Sequence, residues 1–164
     1  MNWWKRVCFC LYDIAMRRRA EGGQMVGVVV VTHCRLGEEL IAAAKLVVGE
    51  DLKQFEPVSI DPKEGSEEIR EKIIAAIRKV DEGKGILILT DMYGGTPSNI
   101  SLSFLEEKRI EVITGVNLPM LLKLATYEND MDLESLAVFI TDYGQRNINL
   151  ASEVLKKRVD KKKS

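Results

Sequence analysis

The chain is poor in the residues that most often mark a staple or a site: three cysteines, four prolines, two tryptophans and one histidine. Three cysteines are an odd number with no spaced framework, which excludes a disulfide scaffold. With no CxxC pair and a single imidazole there are too few soft ligands for a zinc site. The simplest setting for such thiols is reducing and cytoplasmic. No run approaches the roughly 18 apolar residues that a membrane-spanning helix needs. No GxxxxGK[ST] segment is present, so the P-loop nucleotide binders are excluded.

An excess of one charge is also missing over the whole chain, which carries a net −1. The distribution is uneven. Residues 1–24 hold five basic and two acidic side chains, and residues 156–164 hold six and one. The body, residues 25–155, holds thirteen basic and twenty-two acidic side chains. An acidic body does not suit a nucleic-acid binder, whose affinity comes from neutralising phosphates. The basic residues 156–164 read as a solvated tail.

What remains is 164 residues with 46% hydrophobic and 30% charged side chains, the make-up of a globular domain. A chain of this length favours one domain and can fold without metal or disulfides. Residues 1–24 lack the cleavage pattern of a signal peptide. Trp3, Trp4 and the run Arg17-Arg18-Arg19 would suit a helix lying on a membrane surface. The plainer expectation is a non-conforming extension, translated from a start upstream of Met25 and dispensable to the domain at 25–155.

From Met25 the elements alternate. Residues 26–32 form a continuous β-branched run, as buried parallel strands do. Leu36–Val48 follows at helical spacing, with Gly49 as its stop. Phe55–Ile60 reads as a second strand. Ser66 is expected to cap a helix whose apolar stripe is Ile69, Ile73, Ile74, Ile77 and Val80. Ile86–Thr90 is a third strand, and the loop 91–96 leads into a helix with Pro97 in its first turn. Ile110–Thr114 is a fourth strand, and 117–119 open another short helix. Residues 132–157 are mostly helical by pattern, with Phe139-Ile140-Thr141 ambiguous. Strand alternating with helix predicts an α/β fold, a three-layer α/β/α sandwich with a central, mainly parallel sheet.

Ligands of such sheets bind beyond the carboxyl ends of the strands, and three ends stand out. The first carries Thr32-His33-Cys34, with the chain's one imidazole. The third carries Asp91-Met92-Tyr93-Gly94-Gly95-Thr96-Pro97-Ser98-Asn99. Paired glycines admit a close ligand, Thr96 can cap the helix, and the amides of Ser98 and Asn99 would then face an anion. The fourth carries Gly115 and Asn117, which read as turn and capping chemistry.

One imidazole, one carboxylate and a helix start around one crevice describe phosphoryl transfer through histidine. Neutral imidazole is a good nucleophile near pH 7. A carboxylate that fixes its tautomer is needed so that the far nitrogen offers a lone pair, and Asp91 is the candidate. Thr32, Gly94, Gly95, Thr96, Ser98 and Asn99 complete the expected phosphate-facing set. Neither a metal nor a cofactor is required by this scheme.

The segments 28–33 (ending in THC across position 34), 90–99 (TDMYGGTPSN) and 113–121 (ITGVNLPML) resemble the mannose-type enzyme IIA component of the bacterial phosphoenolpyruvate-dependent sugar phosphotransferase system. The resemblance runs in order over about residues 25–155. It implies a homodimeric α/β sandwich in which His33 takes phosphate from HPr and passes it to a IIB component, upstream of the IIC and IID membrane permease. It matches the histidine's carboxylate partner to Asp91 and the hydroxyl after the glycine pair to Thr96. It also implies a cytoplasmic protein, peripheral at the membrane through the permease.

Cys34 departs from the family, which usually has glycine after the active histidine. Cysteine is small enough for the place if the backbone there needs no positive φ, and a free thiol is ordinarily buried. The apolar run Leu133, Leu136, Ala137, Val138, Phe139 and Ile140 is an independent reason to expect a dimer interface, although a single domain could also hide it in its own core. A receiver domain would need an acidic pair where Thr32-His33 stands, and a phosphoglycerate-mutase-type phosphatase would need a second histidine. The phosphoryl-donor subunit of dihydroxyacetone kinase, which has a related domain, stays open at this point, although it expects a different loop after the third strand. A regulatory phosphoprotein of the same fold, signalling by partner binding without transport, stays open at this point. The sugar is not readable, because selectivity resides in the membrane subunits.

Overall fold

The computed structural model describes residues 25–49, 52–106, 109–127 and 131–160. The reading of residues 1–24, and of the tail beyond 160, lies outside them. Four strands, β1 (Gly27–His33), β2 (Phe55–Ile60), β3 (Ile86–Thr90) and β4 (Ile110–Thr114), pair in the order β2-β1-β3-β4, every pair parallel. The described helices are α1 (Leu36–Val48), α2 (Ser66–Val80), α3 (Thr96–Leu102), α4 (Leu118–Ala125), α5 (Leu133–Arg146) and α6 (Ala151–Asp160).

Alternation along the two central strands builds the layers. Val28, Val30, Leu87 and Leu89 point to one face, where α1, α4 and α5 bury Ile41, Val48, Leu121, Leu136 and Ile140 against them. Val29, Val31, Ile86 and Ile88 point to the other, onto Ile69, Ile73 and Val80 of α2 and Ile100 of α3. Both faces are covered, so the central strands are apolar throughout rather than alternating. Each of these side chains contributes about 1.5–3 kcal/mol by leaving water. The result is the expected three-layer α/β/α sandwich, with an all-parallel sheet.

Three local expectations need correction. Ser66 does not cap α2; the N-cap is Gly65, with no side-chain bond, and Ser66 is already helical. Thr96 likewise is the first helical residue of α3, behind Gly95 as N-cap. In both places the extended residue before the helix is a glycine, and the hydroxyl sits one position too late to reach back to the free amides. The helical stretch expected over 132–157 is two helices, split at 147–150, and Phe139-Ile140-Thr141 lies inside α5. The caps at Asn117 and Asp132 are made by side chains, which accept from the Met120 and Ser135 amides.

The apolar run in α5 is largely consumed by its own domain. Leu133, Leu136, Ala137 and Ile140 are buried in the core, whereas Val138 stays exposed. That removes most of the physical reason drawn from this segment for a dimer.

Candidate active site at the carboxyl ends of the strands

The alternation that builds the layers also places the site. After Val31, Thr32 faces α1 and His33 faces α3. Asp91 is the first residue beyond β3, beside His33, because Val31 of β1 is in register with Thr90. Asp91 Oδ2 accepts the His33 backbone N–H at 2.9 Å and lies 2.7 Å from the ring Nδ1. Its Oδ1 accepts the Met92 amide at 2.9 Å. The carboxylate is sheltered, with 12% of its side chain exposed, while the imidazole is 40% exposed.

Burial by itself would raise the Asp91 carboxyl. The bonds from the His33 amide and ring, and from the Met92 amide, outweigh it and hold the group below the usual carboxylate range. An ionised carboxylate can only accept, so Nδ1 carries the proton toward it. In the neutral ring Nε2, across Cε1 from Nδ1, then offers its lone pair.

The two glycines of the loop serve different ends. Gly94 has φ +80 and open space around it, so its requirement is backbone shape. Gly95 has an ordinary φ of −77, but a Cβ there would stand 2.9 Å from His33 Cε1 and 3.5 Å from Nε2. Asn99 ties the turn, its amide donating to Gly95 O at 2.9 Å and its Nδ2 to Gly94 O at 3.3 Å. The Asn99 amide is therefore not free for an anion as expected. The first turn of α3 leaves the Thr96 and Ser98 amides unused by the helix, since Pro97 has none.

Thr32 does not reach the site through its side chain, and Ser98 offers only its amide. Thr32 is fully buried, and its Oγ1 accepts the Gly37 amide at 2.8 Å, capping α1 from the strand. The alternation in β1 that turns His33 outward necessarily turns Thr32 inward. Ser98 is also fully buried, so its hydroxyl faces the interior and only its amide lies at the helix start. Thr96 is exposed there.

Cys34 overturns both parts of its expectation. It is exposed, and its φ is +49, the one positive φ outside glycine among the described residues. Its amide donates to Ile60 O at 3.0 Å, so the chain turns sharply off the end of β1. Beside it, Glu38 accepts from Arg35 Nε and from Ser59 Oγ, both at 2.8 Å, linking the start of α1 to β2. These bonds, Arg35 first, hold Glu38 below the usual range. The capping role of Thr32 and the contact of Gly95 with the ring were missed from sequence. The glycine usual at position 34 in the family was the available signal for the left-handed turn.

The sheet carries a carboxylate-bound histidine at its carboxyl edge, an arrangement whose chemistry suits phosphoryl transfer. The comparisons agree with that chemistry. A family model described as "PTS system fructose IIA component" matches residues 27–141. The sorbose-specific EIIA component of Lacticaseibacillus casei is 35% identical over 112 residues, 66% of this chain and 78% of that protein. The fructose-specific EIIA component of Bacillus subtilis is 29% identical, over 81% of this chain and 91% of that one. A solved mannose/sorbose-specific IIA subunit from Enterococcus faecalis superposes with a TM-score of 0.69 at 26% identity, over 77% of this chain and 94% of its own. The chain belongs to the mannose/fructose/sorbose family of EIIA components of the sugar phosphotransferase system, and it is a sugar-transport component that carries phosphoryl groups. Among the described residues no helix is long and apolar enough to cross a membrane.

Proposed function

We propose that His33 Nε2 is the phosphoryl acceptor and that the phosphoryl group passes from HPr to His33 and on to a IIB component. The observation that carries this is the 2.7 Å contact between His33 Nδ1 and Asp91 Oδ2, which turns the lone pair of Nε2 outward. In transfer, that lone pair forms the new P–N bond as the donor's P–N bond breaks and its electron pair returns to the donor imidazole. The accepting ring gains positive charge, which the Asp91 carboxylate offsets while Nδ1 keeps its proton. Return of the group to a IIB nucleophile reverses these steps.

The phosphoryl oxygens meet the Thr96 and Ser98 amides at the start of α3, and Gly94 and Gly95 leave room for them. Thr96 Oγ, exposed at the same place, can add a donor. The names of the relatives favour transport over a purely regulatory role. A cytoplasmic location, reaching the IIC and IID permease through IIB, follows from that family role. Homodimer assembly rests on the family resemblance and on Val138, Ile148, Leu150 and Leu155, which stay exposed.

Incubation with phosphoenolpyruvate, enzyme I and HPr, followed by mass analysis, tests the reading. The expected product is an acid-labile phosphoramidate on His33, absent from His33→Gln. A label that persists in that variant overturns it.

A further inference from the structure

We propose that Gly95 is a positioning residue for His33: its lack of a side chain lets the imidazole stay on Asp91 while Nε2 stays open. The inference rests on the reading of His33 as the acceptor. Two fixed neighbours meet the ring. Nδ1 is tied to Asp91 Oδ2 at 2.7 Å. At the adjoining ring atom, a Cβ of residue 95 would stand only 2.9 Å from Cε1, 3.5 Å from Nε2 and 3.4 Å from Met92 Cγ.

Neither neighbour can retreat easily. Asp91 is fixed by two backbone amides besides the ring, those of His33 and Met92. Gly95 is fixed by the Asn99 amide on its carbonyl, and the preceding carbonyl by Asn99 Nδ2. A methyl group at 95 would therefore push on Cε1, between the two nitrogens. The ring would rotate away from the carboxylate, and Nε2 would swing off its line to the incoming group. Backbone shape is not what demands glycine here, because φ at Gly95 is −77. Gly94 is the internal contrast: φ +80, with nothing within 4 Å of a Cβ.

His33 is the sole histidine in the chain, so its ring signals need no assignment by mutation. The test compares the full-length parent, Gly95→Ala and Gly94→Ala. In the parent, a nuclear Overhauser contact between the His33 Hε1 proton and the Gly95 Hα protons is expected, and its absence overturns the proposal whether or not any variant folds. In Gly95→Ala, the ¹⁵N shifts of the ring should move from one tautomer toward a mixture, with a cooperative melt retained. Its phosphorylation should slow about a hundredfold from both HPr and phosphoramidate, a donor too small to need docking. Gly94→Ala should melt lower and leave the ring shifts unchanged. Unchanged ring shifts in Gly95→Ala, or a loss confined to transfer from HPr, overturn the proposal. A parent chain that neither donor phosphorylates overturns the acceptor reading instead, and the ring shifts still decide the role of Gly95.

Discussion

Asp91 Oδ2 is bonded twice to one residue, to the backbone amide of His33 at 2.9 Å and to its ring Nδ1 at 2.7 Å. The amide bond fixes where the carboxylate stands relative to β1, and the ring bond fixes how the imidazole turns. One carboxylate thus couples the strand end to the side chain it carries. Replacing it with an amide separates the two effects. Asp91→Asn can still accept the backbone bond, but its NH₂ can also donate to Nδ1 and favour the wrong tautomer. The comparable change in a serine protease lowers turnover about 10⁴-fold. Here the donor phosphoryl group is already activated, so a loss of roughly 10²–10³-fold is expected. Thermal stability should shift by no more than about 1 kcal/mol. Rapid-quench transfer from phosphorylated HPr, beside a melt of the same sample, checks both. Transfer at the parent rate would show that Asp91 does not hold the imidazole.

The same bonds set a pH dependence. The Asp91 carboxyl lies below its ordinary value in the folded chain, so the folded state favours its ionised form. That contribution to stability is fully present above the unfolded value, about 3.9, and fades as pH falls through the lower folded value. A carboxyl ¹³C titration should place the Asp91 midpoint below that of an unstructured aspartate. The stability gap between the parent and Asp91→Asn should also narrow as pH drops below about 4. A midpoint at or above the ordinary value would contradict the three donated bonds.

The alternation of strand and helix was legible because central parallel strands are apolar on both faces, and Val26-to-Thr32 and Ile86-to-Thr90 have that look. His33 and Asp91 were legible as a pair because both are polar residues at the ends of such strands. The misses sit one residue away. The face that a strand side chain takes depends on where the pleat starts, so Thr32 read as a site residue although it points inward. Likewise the contact between Gly95 and the imidazole depends on how closely α3 approaches β1, a distance that spacing along the chain does not encode.

Residues 1–24 are expected to be dispensable. The first described contact is the Met25 amide donating to Glu82 Oε2 at 3.1 Å, at the end of the sheet far from His33. A chain beginning at Met25 should keep its melting temperature and accept phosphate at the parent rate. A loss of several degrees, on the order of 1–2 kcal/mol in a domain of this size, would show that the extension packs on the core.

Thr32→Val separates a structural hydroxyl from a phosphate ligand. Valine keeps the shape and suits a strand, but it leaves the Gly37 amide without its acceptor inside the protein. A lost cap or buried partner of this kind costs about 1–2 kcal/mol, a fall of several degrees in Tm. Because Thr32 Oγ1 faces α1, phosphorylation of His33 should continue at near the parent rate. A variant with unchanged Tm and no phosphorylation would put the hydroxyl at the phosphoryl group after all.

Cys34 stands at φ +49, where a side chain carries a steric penalty of roughly 1–2 kcal/mol that glycine avoids. Glycine also raises the entropy of the unfolded chain, at a cost of about 0.5–1 kcal/mol. The two effects oppose each other, and the steric one is the larger. Cys34→Gly is therefore expected to stabilise the domain by up to about 1 kcal/mol, read as a rise in Tm of a few degrees. The thiol is exposed and has no packing to lose, so no compensating cavity opens. The Cys34 amide must keep its bond to Ile60 O, which glycine permits. Cys34→Ala is the control, since it removes the thiol but keeps the Cβ, and its Tm should stay near that of the parent. If alanine raised Tm as much as glycine, the gain would come from losing the thiol rather than from relieving the left-handed backbone beside His33.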